Sequence, residues 1–115
     1  MNLREAITRA DALRPNALDE EQKAAWCFEV EGMVSEVIGI PSPKNCFPED
    51  TVLLMPSPHE NIYPLYIAAM IDYYHAESTL YQNDLTLFNS AFSEARAWWI
   101  REHRPKRNPS WRVMG

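Results

Sequence analysis

Apolar residues recur along this chain at helical spacing in four stretches, separated by proline-bearing or polar breaks. Over residues 3–14, Leu3, Ile7, Ala10 and Leu13 follow at intervals of 4, 3 and 3, which lines them up on one face of a helix. Asn2 and Glu5 have the spacing of a reciprocal N-terminal cap. Pro15 closes the stretch, because a residue before proline is pushed out of the α region. Over residues 19–39, Trp26, Val30, Met33 and Val37 recur at 4, 3 and 4, widened by Val34 and Ile38. Asp19 with Gln22 predicts a second capping box, Glu20 and Glu21 suit the positive end of the helix dipole, and Gly39 predicts a left-handed stop.

Residues 40–57 carry prolines and no helical period, so they read as a long loop. Its β-prone piece, Thr51 to Met55, has no partner strand in the chain. It either pairs with the same segment of a neighbouring subunit or lies as a buried loop. A third helix is predicted over about 59–82. Ser57, Pro58 and Glu60 mark a helix start, but Pro64 would break a helix interior. The regular part is therefore expected to begin near Tyr63 and Pro64, with Leu65, Ala69, Tyr73 and Leu80 facing one way. The polar Gln82-Asn83-Asp84 is expected to separate it from a fourth helix over about 84–104, although the two helices read as nearly continuous. Leu85, Phe88, Phe92, Ala95 and Trp99 give that last helix a heptad-like seam. The expected fold is all-α, a bundle of about four helices forming one domain over residues 1–105, followed by an extended arm over 106–115.

Composition narrows the class. Three glycines in 115 residues are few for a many-turned β fold, and no apolar run reaches the length needed to span a bilayer. The N-terminus is charged and amphipathic, unlike a signal peptide, and the chain reads as cytosolic at synthesis. Cys27 and Cys46 lack metal-ligand spacing, and Cys27 reads as a buried free thiol.

The net charge of −5 is uneven: residues 1–100 stand at −9 and residues 101–115 at +4. Arg101, Arg104, Lys106, Arg107 and Arg112, with Trp111 among them, form a candidate docking arm. Such an arm can contact phosphates and bases, or dock on an acidic protein surface. The enrichment of Trp and Arg at interface hot spots favours protein. Glu29, Glu31 and Glu36 form a candidate acidic surface. Four Trp, five Tyr and four Phe exceed what one small subunit readily buries, so Tyr63, Tyr66, Tyr74 and Trp98 are candidate subunit-interface aromatics. Asp72, His75 and Glu77 lie close in sequence but lack the converging ligands of a metal site and read as a solvated helix face. No nucleophile–base pair or phosphate-binding loop stands out. The expectation is a protein that is not an enzyme and holds no cofactor.

The residues also carry a resemblance. REAITRADALRPN, with EEQKAAW after it, resembles the opening of small head–tail connector (adaptor) proteins of tailed phages and prophages. The stretch from EDTVLLMPSP to WWIREHRP is more similar still. Pro15-Asn16, Leu53-Leu54, Pro56, Pro58, Ile71-Asp72-Tyr73, Glu77, Tyr81, Phe88-Asn89, Ala91 and His103 with Pro105 carry the match, over about 105 of 115 residues. His59, Pro64, Gln82-Asn83-Asp84 and the residues after Pro105 depart from the pattern.

The resemblance implies a small helical subunit that assembles with its copies into a ring, commonly dodecameric, beneath a portal. Double-stranded DNA would pass through without sequence-specific contacts, and stopper or tail-completion proteins would attach below. The protein would be made in the bacterial host cytoplasm and reside at the virion head–tail interface, with no membrane involved. An acidic lumen formed by the three glutamates would suit such a channel, because like charges discourage adhesion. A non-viral helical adaptor and a small helix–turn–helix regulator are the alternatives. The regulator is disfavoured by the glutamates of the second helix, the wrong sign for a major groove.

Overall fold

The computed structural model describes residues 1–41 and 50–103. Four helices follow in order: α1 (Leu3–Leu13), α2 (Glu20–Ile38), α3 (Ile62–Tyr74) and α4 (Ser78–His103). The fold is all-α, and among the described residues the only β pairing is an isolated bridge between Asn2 and Val52.

Contacts between elements fix the directions. The Met1 amino group meets Glu60 at one end of the α1–α3 pair, and Arg14 meets Asp72 at the other, so α1 and α3 run the same way. Tyr66 reaches Glu29, and Tyr74 shares a surface groove with Asp19 and Gln22, so α2 runs opposite to α3. Ring contacts between Tyr66 and Phe88, and between Tyr73 and Tyr81, set α4 antiparallel to α3 as well. The bundle therefore runs up, down, up, down, with α2 and α4 parallel. Helix α3 is the centre, packed against each of the other three. Its burial on several sides (Ile62, Tyr63, Ile67, Ala68, Ala69 and Ile71) follows from a helix that is apolar nearly all round. Leu3, Ala6, Ile7 and Ala10 of α1, Trp26, Cys27, Val30 and Val34 of α2, and Phe88 and Ala95 of α4 complete the core, with Leu53 and Met55 from the loop. Of the residues expected to face one way on the third helix, Ala69 is buried, whereas Tyr73 is largely exposed.

The helix ends show which sequence signals were used. Asn2 and Glu5 form the expected reciprocal cap, with Glu5 N donating to Asn2 Oδ1 at 2.8 Å and Asn2 N donating to Glu5 Oε1 at 3.4 Å. Gly39 takes the left-handed conformation, φ 73°, at the end of α2. Asp19 holds the N-cap position of α2 without the expected side-chain cap bond. Pro64 sits in the first turn of α3, where its missing N–H has no intrahelical partner to lose. The helix-start signature at Ser57–Glu60 becomes a turn instead, its Glu60 turned to the Met1 amino group.

The break between the last two helices lies elsewhere than expected. Gln82, Asn83 and Asp84 are interior to α4, and the chain turns at His75, Ala76 and Glu77. Ala76 N donates to Tyr73 O at 3.1 Å and Glu77 N to Asp72 O at 2.9 Å. These are the two bonds of a Schellman C-cap. The left-handed position that such caps usually give to glycine is held by Ala76, φ 58°. An L-residue there costs about 1–2 kcal/mol. Ala76→Gly is therefore expected to raise the stability by about 0.5–1 kcal/mol, read as a shift in the urea midpoint at unchanged slope. A lower midpoint would mean that Ala76 earns its place by packing.

Candidate interaction surface and the polar groups behind it

The segment at 51–55 is a loop that buries Leu53 and Met55, leaves Val52 exposed, and is held by two side chains. Leu53 N donates to Met1 O at 2.8 Å, which forms the short bridge to the N-terminus. Leu54 N donates to Glu31 Oε2 at 2.9 Å, and Met55 N donates to the Tyr63 hydroxyl at 2.9 Å. That hydroxyl in turn donates to Glu31 Oε1 at 2.6 Å. Glu31 and Tyr63 thus stand in for the missing partner strand by supplying acceptors to consecutive loop amides. Both are buried, at 1% and 0% exposure. This corrects two expectations: Glu31 belongs to no acidic surface, and Tyr63 is no subunit-interface aromatic. Burial raises the Glu31 carboxyl above the usual range, opposed by the two hydrogen bonds it accepts. Burial, followed by the nearby Glu31 charge, also raises the Tyr63 hydroxyl.

A second polar group joins the other end of the bundle. Asp72 on α3 and Asp84 on α4 share the guanidinium of Arg14, which follows α1. Arg14 Nε lies 3.1 Å from both oxygens of Asp72, and Nη2 donates to Asp84 Oδ1 at 3.1 Å. Asp84 Oδ2 is 3.0 Å from Nη2 as an ion-pair contact but receives no aligned hydrogen bond. Two buried carboxyls on one cation leave a surplus of negative charge. Desolvation first, then a shared hydrogen bond with Asp72, push Asp84 up to about 6 against the pull of Arg14. Asp72 is therefore no part of a solvated helix face, although His75 and Glu77 are exposed. Periodicity gave no hint of this cluster. The available signal was a pair of aspartates set inside apolar runs.

The remaining site candidates divide by position. Arg101 is exposed in the last turn of α4, while Arg104, Lys106, Arg107, Trp111 and Arg112 lie outside the described residues. Tyr66 is half-buried, its hydroxyl donating to Glu29 Oε2 at 2.6 Å and its ring set on Phe88. Trp98 is half-buried, with its ring centroid 4.9 Å from that of His59. Tyr74 is exposed at one end of the bundle, in a groove with Leu18, Asp19 and Gln22. Glu29 and Glu36 are exposed on α2, joined there by Glu21. Lys23 on the same helix is buried against Asp11, its Nζ 3.0 Å from Oδ1. Cys27 is fully buried, its thiol pushed up to about 12 by desolvation.

Helix α4 leaves much of its length uncovered among the described residues. Along its 26 residues only Asp84, Phe88 and Ala95 are buried. Leu80, Leu87 and Ile100 are exposed. An open groove of about 410 Å³ lies between α2 and α4, lined by Met33, Glu36, Val37, Phe92, Arg96 and Ile100. Among the described residues no group of three His, Cys, Asp or Glu side chains is placed to hold a metal ion, and no helix is long and apolar enough to cross a membrane. Searches of family models, curated proteins and solved structures return no match to this chain.

Proposed function

We propose that this protein is a structural head–tail connector subunit, assembling as a ring beneath the portal of a tailed phage and giving stopper or tail proteins a platform. The observation that carries this reading is α4. A 26-residue helix that buries three side chains and leaves Leu80, Leu87 and Ile100 uncovered is packed on one side only. Such a wall offers apolar area suited to a neighbouring subunit. The sequence resemblance supplies the setting, and the matching residues Leu53, Ile71, Asp72 and Phe88 are among those this bundle buries.

The regulator alternative is weakened by α2. Its Lys23 is already committed to Asp11, while Glu20, Glu21, Glu29 and Glu36 face solvent, a face that repels phosphate. A non-viral adaptor would use the same uncovered helix and differs only in its partner. Mixing the purified protein with its cognate portal and imaging the product by electron microscopy tests the reading. A ring stacked on the portal is the expected result, and portal particles unchanged at saturating subunit would sink it. Leu87→Asp with Ile100→Asp is expected to abolish the ring while leaving the helical circular dichroism intact.

A further inference from the structure

The outward face of α2 carries a stripe of unusual make-up. Glu21, Ala25, Phe28, Glu29, Gly32 and Glu36 follow one another along the side of the helix turned from the core. Glu21, Ala25, Phe28 and Glu29 line an open groove of about 450 Å³, and Glu36 stands in the groove against α4. Between the two, Gly32 leaves open space: a methyl group added there would meet nothing within 4 Å. The stripe from Glu21 to Glu36 is about 22 Å long at 1.5 Å per residue.

The chain also holds a segment of opposite charge. Residues 104–115, RPKRNPSWRVMG, contain four basic and no acidic side chains, with Trp111 and Val113 as apolar anchors. Twelve residues reach about 40 Å when extended, enough to follow the whole stripe. Direction decides whose stripe they follow. Helices α2 and α4 run parallel and their C-terminal turns share a groove, so following the α2 stripe of its own copy would require the segment to reverse direction beyond His103, which the stripe of a second copy would not.

We propose that residues 104–115 of one copy dock along the acidic α2 stripe of a second copy, with Trp111 lying over the open space at Gly32, beside Phe28. The basic side chains pair with Glu21, Glu29 and Glu36, and the indole supplies the desolvated centre that interfaces need. Arg96 at the edge of the α2–α4 groove opposes this charge pattern, which places the basic residues on the Glu29 side of Glu36. An arm-into-neighbour contact joins two different surfaces, so repeated around an axis it closes a ring. It also gives Glu29 and Glu36 a protein to face rather than a passing duplex. The proposal rests on self-association and needs no portal, so it and the connector reading can fail separately.

Zero-length carbodiimide cross-linking of the full chain tests it, using an equal mixture of nitrogen-15-labelled and unlabelled protein. Lys106 is the one amine of the arm. It is expected to link to Glu29 or Glu36 in peptides of mixed isotope, with the yield falling at high salt as exposed pairs are screened. Gly32→Trp fills that open space and is expected to cut that yield about tenfold with the fold unchanged, equivalent to losing one hot-spot contact. Links within one isotope would show each arm on its own body and overturn the proposal. So would links from Lys106 to other carboxylates, no links at all, or an unchanged yield in Gly32→Trp.

Discussion

Arg14→Ala is expected to cost about 3–5 kcal/mol at neutral pH, the usual penalty for removing one partner of a buried ion cluster. Asp72 and Asp84 are 2% and 7% exposed, and Arg14 is paired with both. Without the guanidinium they become two adjacent buried acids, and the α1, α3 and α4 ends lose their common tie. Arg14→Lys should recover only part, because one ammonium cannot serve two carboxyls as the guanidinium fork does. Urea denaturation at several pH values checks this and the sign of the proton linkage together. Asp84 titrates at about 6 in the folded protein, raised from an ordinary 3.8. Its folded form thus binds a proton more tightly than its unfolded form. The stability this brings is fully present below pH 3.8 and is lost as pH rises through about 6. Asp84→Asn is expected to regain about 2 kcal/mol at pH 7, since the amide can accept from Arg14 and donate to Asp72 without charge. It should also flatten the pH dependence between pH 4 and pH 6. A variant less stable than the parent at pH 7 would show that Asp84 is needed as an anion.

Glu31→Ala should be nearly as damaging, at about 3 kcal/mol. It strands the Leu54 amide and the Tyr63 hydroxyl, each costing about 1–3 kcal/mol when buried without an acceptor, and it opens a void at a fully buried position. Glu31→Gln keeps one acceptor oxygen and should lose about 1 kcal/mol. Tyr63→Phe removes only the donor to Glu31 and the acceptor of Met55 N, which isolates the link between α3 and the loop. Amide hydrogen exchange gives the discriminating readout. Leu54 and Met55 are expected to exchange faster than the α3 core amides in Glu31→Ala. Equal protection in parent and variant would mean that apolar burial of Leu53 and Met55 alone holds the loop.

Much of the fold was legible because it is written in local signals. Helical spacing located all four helices, and Asn2, Gly39 and Pro64 fixed three of their ends. The α3–α4 break escaped because its physics is not written in residue type. Ala76 holds a conformation that sequence associates with glycine, and the cap-prone Asn83 and Asp84 sit inside α4, where Asp84 turns inward to Arg14. The polar interior escaped for a related reason. A glutamate among glutamates on α2 reads as surface, and only the backbone amides of a loop more than twenty residues away in sequence make position 31 a buried one. The acidic set narrowed to Glu29 and Glu36, and the aromatic set lost Tyr63, through that single network.

The central place of α3 has a consequence for how the chain is made. Helices α1 and α2 each pack more extensively on α3 than on one another, yet α3 begins only at residue 62. A nascent chain bearing the first two helices has their apolar stripes uncovered until α3 leaves the ribosome. Residues 1–61 carry only part of the core, so the domain is expected to fold as one late cooperative event.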